Sequence, residues 1–292
     1  MIEIKTLPPL FYLFMFLILP NEHAIAQQAG EPLYTAEFGV QMYTYRNIIK
    51  DKGIEATLDI IKESGITAIE GGGASGFTLP EYKKMLDDRG LKTVSIGASY
   101  ENLVEEPETI VENAKFLGAK YVMVAWIPHE VGSFNFVNAS QAVEDFNKAG
   151  KILAENGLIL KYHFHGYEII PHKDGTLLDY MMENTNPNYV SYQMDIYWIQ
   201  FGGGNPVHLL KKYPDRWVSF HLKDMQKGTL KDHTGLSDNS TNVIFGTGEI
   251  DFVGIIKTGN ELGIKHYFIE DESDHVLEQV PKSIEYLKSL KY

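Results

Sequence analysis

The sequence contains no cysteine at all. Disulfide frameworks, lipid attachment at an export signal and cysteine nucleophiles all require that residue, so none of them operates here. The serine elbow of pattern G-x-S-x-G is also missing, and covalent serine catalysis of that type is not indicated. A chain of 292 residues can stabilise itself by its core alone, without cross-links.

Basic residues are also few in comparison with acidic ones. The chain has 26 Lys and Arg against 39 Asp and Glu, which gives a formal net charge of −13. A protein of this charge repels phosphate backbones, so we expect no nucleic-acid partner. The sequence also offers no basic amphipathic stretch of the kind that binds membrane surfaces.

Long hydrophobic runs are absent as well. The longest run, residues 10–19, is far below the roughly 20 residues that a membrane-spanning helix needs. Lys5 precedes it, and a small-x-small site at Ala24-Ile25-Ala26 follows, which is typical of a secretory signal peptide over residues 1–26. We therefore predict an exported protein, in the periplasm, with no stable membrane insertion after cleavage.

What the remaining chain does contain is a regular alternation of short β-rich apolar runs and helical patterns. Eight of each fit into residues 27–292, which is close to the roughly 250 residues of one α/β barrel. The sequence thus predicts a single-domain (β/α)8 TIM barrel, with an open doubly wound sheet as the alternative. The predicted strands begin at Glu37, Thr67, Lys92, Lys120, Leu158, Val190, Trp217 and Lys265.

The longest helix-free stretch, residues 226–249, lies between the seventh and eighth predicted strands. A loop of this length inside a compact domain is usually functional. It could close over a pocket or reach a neighbouring subunit of a homo-oligomer.

Polar residues at the ends of the last four strands form the main functional signal. In a TIM barrel the chemistry collects at the carboxyl ends of the strands. Strands five to eight end on His163, Asp195, His221 and Glu270, all directed toward one axis. Two imidazoles and two carboxylates suit one divalent ion such as Mn, Co, Fe, Ni or Zn, whereas Mg favours an all-oxygen site. The alternative is that each residue is a hydrogen-bonded group at the barrel rim.

Further polar residues occupy the same ends. Strand two ends on Glu70, and Glu130 lies just beyond strand four. His165 shares a face with His163, and Lys223 shares a face with His221, because side chains alternate along a strand.

Motifs along the whole of residues 27–292 resemble the sugar phosphate isomerase/epimerase family, whose members are xylose isomerase-like barrels. The motifs are GVQMYTYR at Gly39, YHFHGYE at Tyr162, MDIYW at Met194, FHLKDM at Phe220, GTGEIDF at Gly246 and IEDE at Ile269. The resemblance implies one divalent ion over a sugar substrate, with Asp195, His221 and Glu270 at ligand positions. It also implies that Glu270 acts as ligand, base or both, that His165, Lys223 and Glu130 act as acid or orient the substrate, and that Arg46, Trp198 and Tyr43 contact it.

Strand five departs from the epimerases of that family. Where they carry a glutamate, this chain has His163, followed by His165. The pair is similar to the pattern of inosose dehydratases and of exported barrels that act on 3-keto-glycosides. The resemblance implies proton abstraction next to a carbonyl. The predicted export favours an unphosphorylated sugar or keto-sugar, because sugar phosphates are scarce outside the cytoplasm. We expect an isomerase or epimerase, with two alternatives: a lyase or hydratase of keto-sugars, and a non-catalytic carbohydrate-binding barrel.

Overall fold

The computed structural model describes residues 30–292 of the chain. The predicted signal peptide, residues 1–26, lies outside the described residues and stays a prediction. Eight strands correspond to the predicted ones, with bounds that differ by a few residues. They are β1 (Phe38–Gln41), β2 (Ala68–Glu70), β3 (Lys92–Ala98), β4 (Tyr121–Val124), β5 (Ile159–His163), β6 (Val190–Asp195), β7 (Trp217–Leu222) and β8 (His266–Ile269).

The eight strands form one closed parallel barrel. They pair in chain order, and β1 closes the ring by pairing with β8, Val40 opposite Ile269. This confirms the predicted TIM barrel and excludes the open sheet. The pairing aligns the strand ends that carry the functional side chains: Asp195 lies opposite His221 across β6 and β7. The carboxyl ends of β5 to β8 therefore meet at one end of the barrel.

Helices surround the barrel and connect successive strands. A glycine ends one of them: Gly118 has φ +77°, in the left-handed region that glycine adopts without strain. The helices are α1 (Arg46–Lys52), α2 (Ile54–Glu63), α3 (Leu79–Asp87), α4 (Tyr100–Glu105), α5 (Pro107–Leu117), α6 (Phe136–Glu155), α7 (Leu177–Asn184), α8 (Ile196–Phe201), α9 (Pro206–Lys212), α10 (Phe252–Glu261) and α11 (Val276–Ser289). Within residues 30–292, none of them has the length and apolar character that crossing a bilayer requires.

The side chains of each strand alternate between the barrel axis and the helices. On β5, Tyr162 is fully buried, and its ring packs against Phe146 of α6 at 5.1 Å. Its neighbours on the strand, Lys161 and His163, belong to the opposite face and lie among groups from other strands at the axis. The period of two thus separates the packing residues from the polar residues of the site.

The long segment of residues 226–249 is anchored at both ends by one carboxylate. Asp224 and Met225 pair with Asn242 and Val243 in a short antiparallel ladder. The Asp224 side chain accepts hydrogen bonds from the backbone N–H groups of Gly246 and Gly248, at 2.8 and 2.9 Å. The GTGE motif therefore binds a carboxylate of its own chain and closes the loop.

Candidate active site

A cavity of about 600 Å³ opens at the carboxyl end of the barrel strands. Its size is within the range of small-molecule sites. Strand ends form its floor, and loop residues form its walls. The lining residues are Gln41, Tyr43, Gly71, Gly72, Gly97, Ala98, Met123, Ala125, Trp126, His163, His165, Trp198, His221, Gly235, Leu236, Ser237, Asn239, Glu270 and Glu272.

The four residues predicted as metal ligands come together at this end of the barrel. Each of His163, Asp195, His221 and Glu270 offers one ligand atom, and these atoms all lie within 4.8 Å of one another. His221 is the centre of the group: its Nδ1 is 3.3 Å from Glu270 Oε2 and 3.8 Å from Asp195 Oδ2. His163 Nε2 is 3.9 Å from the same oxygen of Asp195. Four side chains from four strands thus converge on one point.

Several atoms of this cluster are buried without a hydrogen-bond partner. They include Oδ2 of Asp195, Nδ1 of His221 and Nδ1 of His163. The other oxygen of Asp195, Oδ1, accepts a hydrogen bond from the N–H of Trp198 at 2.9 Å, which fixes the carboxylate with Oδ2 toward the cluster. Buried polar atoms normally have partners, and a divalent ion with nitrogen and oxygen ligands would satisfy those that meet here. The residues therefore fit a transition-metal ion.

The cluster perturbs the pKa values of its own members. Burial raises the pKa of Asp195 to about 7. Burial also lowers the pKa of His163 well below the usual value, with nearby His221 adding to the effect. For His221 burial acts in the same direction, but the carboxylates of Glu270 and Glu70 outweigh it and raise the pKa to about 10. In a site without metal, one imidazole would thus be neutral and the other would be a cation between carboxylates.

His165 lines the cavity beside the cluster and is held between two indole rings. Its ring is 4.7 Å from that of His163, and it lies 5.5 Å from Trp126 and 5.3 Å from Trp198. The backbone N–H of His165 donates to the buried carboxylate of Glu168 at 3.2 Å. The imidazole is therefore fixed against the space in which a substrate would bind.

The turn after His165 requires glycine. Gly166 has φ +87°, and a Cβ on it would lie 2.5 Å from the carbonyl oxygen of Trp198. This close approach brings the β5 loop against α8, and so brings His165 against Trp198. The glycine of YHFHGYE is thus a packing requirement of the site.

Lys223, predicted as a catalytic acid or orienter, lies behind the cavity wall and does not line it. Its ammonium group forms an ion pair with Glu272 and lies 3.5 Å from Glu270 Oε2. Burial alone would lower its pKa, but these carboxylates raise it above the usual value. The rings of Tyr197 and Trp198 cover it at about 5 Å. Its position suits a fixed counter-charge rather than a proton donor.

The remaining predicted residues are dispersed. Trp198 and Tyr43 line the cavity, as a substrate-binding role requires. Arg46 does not: it stacks on the Tyr43 ring and donates to the carbonyl of Glu272 at 2.7 Å. Glu130 is exposed and lies outside the lining, so the geometry gives no support to a catalytic role for it.

The long loop supplies cavity residues that the sequence did not single out. Gly235, Leu236, Ser237 and Asn239 all line the cavity. Gly235 has φ +71°, and a Cβ on it would lie 2.6 Å from the ring of Tyr167. The sequence left open whether this loop closes over a pocket or reaches a neighbouring subunit. In the structure the loop lies at the cavity of its own chain.

Comparison with known proteins agrees with the fold. The family model of xylose isomerase-like TIM barrels matches residues 58–290. An inosose dehydratase of Geobacillus kaustophilus is 28% identical over 249 residues, which are 75% of this chain and 80% of that protein. The crystal structure of a sugar phosphate isomerase/epimerase of Parabacteroides distasonis superposes with TM-score 0.72 and 26% identity, over 88% of this chain and 94% of that one.

A more distant structure, of an IOLI protein with a bound zinc atom, shares the fold with TM-score 0.67 at 15% identity, over 86% of this chain and 96% of that one. The family match covers most of the barrel, from α2 to the end of α11. The protein therefore belongs to the xylose isomerase-like TIM barrel family, and it is an enzyme.

Proposed function

We propose that the protein is a metal-dependent lyase, which removes a proton next to the carbonyl of an unphosphorylated keto-sugar or keto-glycoside and expels a group from the adjacent carbon. The observation that carries this proposal is the convergence of four buried side chains from β5 to β8, with unpartnered atoms, at the cavity floor. His163, Asp195, His221 and Glu270 would hold the ion. When bound, it would supply Lewis-acid polarisation of the substrate carbonyl.

The chain's own residues supply the other requirements of an elimination. A base takes the α-proton, the electron pair moves to the carbonyl oxygen, and its return expels the leaving group, which takes a proton from an acid. Glu270 and His165 are the ionisable side chains best situated for these transfers, because both line the cavity beside the cluster. The two indoles that flank His165 offer apolar faces for a sugar ring.

Elimination is favoured by the residue at the end of β5. An epimerase uses two carboxylates to exchange a proton on opposite faces of a carbon, whereas here β5 ends on His163, and Glu270 is the one carboxylate of the ligand cluster that lines the cavity. The dehydratase activity in the name of the Geobacillus kaustophilus relative supports the same choice. An isomerase or epimerase is the second candidate, and the name of the Parabacteroides distasonis neighbour favours it.

An unphosphorylated substrate is supported by the charge of the cavity. Its lining includes Glu270 and Glu272 but no lysine or arginine, so among the described residues no fixed cation faces a phosphate. The N–H of Gly71, directly after β2, does not replace one, because it donates to the carbonyl of Ser95 at 2.9 Å. We expect phosphorylation of the substrate to lower kcat/KM at least about tenfold, which corresponds to roughly 1.4 kcal/mol.

Export would fit such a substrate, because sugar phosphates are scarce outside the cytoplasm. We extend the proposal to residues 1–26 as a signal peptide that directs the protein to the periplasm. Cell fractionation of the full chain and of a chain lacking residues 1–26 tests it. Equal amounts of both in the periplasm would contradict this part of the proposal.

The reaction itself is tested in D2O. The Mn²⁺-loaded protein is incubated with free ketoses and with 3-keto-glucosides, and the products are followed by NMR and mass spectrometry. Release of water or of the aglycone supports the lyase, while deuterium in an otherwise intact sugar supports the isomerase. A complete lack of exchange and elimination would contradict both.

The metal centre is tested separately. We expect Asp195→Ala and His221→Ala to reduce bound divalent ion per chain, measured after dialysis, from about one to near zero. His208→Ala is the matched control, because His208 lies on α9, away from the cluster. Unchanged metal content in both site variants would refute the assignment of ligands.

A further inference from the structure

A second polar layer lies at the barrel axis, next to the layer of proposed ligands. Along β5, β6 and β7 the residues two positions before the ligands are Lys161, Gln193 and Ser219, and all three are fully buried. Glu70, at the end of β2, enters the same layer and is also fully buried. Barrel interiors are usually filled by bulky apolar side chains, so a layer with full charges is unusual.

Glu70 is the centre of this layer. Its Oε2 is 2.5 Å from the ammonium group of Lys161, and its Oε1 accepts a hydrogen bond from Gln193 at 3.1 Å. Lys161 in turn donates to the hydroxyl of Ser219 at 3.0 Å. The carboxylate is therefore fixed from two sides before any contact with the ligand layer is considered.

A further contact of Glu70 joins the two layers. Its Oε1 lies in close hydrogen-bond contact with Nε2 of His221, on the other side of the axis. The other nitrogen of that ring, Nδ1, faces Asp195 and Glu270 and is buried without a hydrogen bond. One imidazole thus has one nitrogen on a fixed carboxylate and the other directed at the proposed ion.

Stability is a poor explanation for the layer. A buried ion pair loses about as much free energy in desolvation as it gains in attraction, and apolar side chains of similar volume often serve as well or better. A carboxylate on the distal nitrogen of a metal-ligating histidine, in contrast, fixes the tautomer and orientation of the ring and raises the basicity of the ligand atom. Positioning of the histidine ring accounts for the place of Glu70 in the barrel, and stabilisation of the fold does not.

We infer that Glu70 is a positioning residue for the metal centre: held by Lys161, it accepts the Nε2–H of His221 and so presents Nδ1 to the ion. The inference rests on the proposed function, because it assumes that His221 is a ligand. Glu70 itself touches neither the ion nor the substrate. Its loss should therefore weaken metal binding, typically by 10- to 100-fold, without removing a ligand.

The test compares Co²⁺ affinity, measured by visible absorption against a competing chelator. The variant Glu70→Leu combined with Lys161→Met removes the acceptor of the His221 Nε2–H and both charges of the ion pair together, so that no buried lysine is left unpaired. We expect it to bind Co²⁺ 10- to 100-fold more weakly than the wild type. If it does not fold, Glu70→Asp serves instead, because it keeps the charge but shortens the side chain by one methylene.

Two further measurements separate positioning from packing. Ser219→Ala alters the same layer without touching Glu70 or His221, and we expect its Co²⁺ affinity to stay within about threefold of the wild type. In the Zn²⁺-loaded, ¹⁵N-histidine-labelled protein, the His221 signal should show Nε2 protonated and slow to exchange. The signal is assigned with His221→Gln, and the protection should be lost in the Glu70 variants.

The outcomes are distinct. Wild-type affinity and an unchanged His221 signal in the Glu70 variants would overturn the inference while leaving the metal centre intact. An equal loss of affinity in Ser219→Ala would also overturn it, because the layer would then act through packing. If the wild type binds neither ion, the proposed metal centre fails, and the inference fails with it.

Discussion

Replacing Lys223 by methionine should destabilise the protein more than any exposed lysine substitution. Lys223 is fully buried and is the cation that faces both Glu272 and Glu270, the latter at 3.5 Å. At that separation two unit charges attract by about 4–5 kcal/mol if the effective dielectric constant is about 20. Removing one partner of a buried pair costs about 3–5 kcal/mol, because the remaining charge stays desolvated.

The expected loss lies near the lower end of that range. The side chains of Glu270 and Glu272 retain 9% and 17% of their exposure, so water can partly solvate them once the lysine is gone. Methionine fills the space of the lysine stem under the rings of Tyr197 and Trp198. We therefore expect Lys223→Met to lower the free energy of unfolding by about 3 kcal/mol.

The assay is urea unfolding, followed by circular dichroism in EDTA and again in excess Mn²⁺. Lys282→Met is the control, because Lys282 pairs with Glu278 on the surface of α11 and should change stability by less than about 0.5 kcal/mol. Under the proposed metal site the deficit of Lys223→Met should be smaller in Mn²⁺, since the ion offsets the charge of Glu270. A deficit below about 1 kcal/mol in EDTA would refute the ion-pair reasoning.

Two further variants test other parts of the fold. Asp179→Asn should cost about 1–3 kcal/mol near pH 7, because Lys212 and Tyr213 donate to that carboxylate. Burial alone would raise the pKa of Asp179, but these donors outweigh burial and hold the pKa below its usual value. The contribution of Asp179 to stability is therefore present above its unfolded pKa and is lost as the pH falls through the folded one. Wild type and variant should thus converge in acid unfolding titrations, and a constant difference would contradict this. Gly235→Ala should raise KM with little change in melting temperature, because the added Cβ would meet the ring of Tyr167 and displace the loop at the cavity. An unchanged KM would contradict the role of this loop in binding substrate.

The barrel and its proposed ligands could be predicted because both follow from local patterns. Alternation along a strand determines that His163 and His165 share a face, and the closed parallel barrel brings the ends of neighbouring strands together. The strand count and the strand ends were therefore enough to bring His163 and Asp195 within reach of the same centre. No information about distant parts of the chain was needed.

The residues that the sequence did not resolve depend on contacts across the barrel. Glu70 was visible as a strand end, but its partner His221 is 151 residues away and five strands further on, and no local pattern joins them. The sequence gives Lys161 no special role, because its partner Glu70 lies on a different strand of the barrel. The strand-end rule says which end of the barrel a residue occupies and not which way it points, which is why Glu130 was included. Arg46 was included on the family resemblance, which does not show that its guanidinium stacks on Tyr43 and donates to the carbonyl of Glu272.

The two polar layers together have a simple charge balance. Four carboxylates, those of Glu70, Asp195, Glu270 and Glu272, are joined by contacts to only two ammonium groups, those of Lys161 and Lys223. With both ligand imidazoles neutral, the buried assembly has two negative charges in excess. A monovalent cation would leave one of them uncompensated, and a trivalent one would overcorrect. The charges joined in this assembly would thus be balanced by a proposed ion of charge +2.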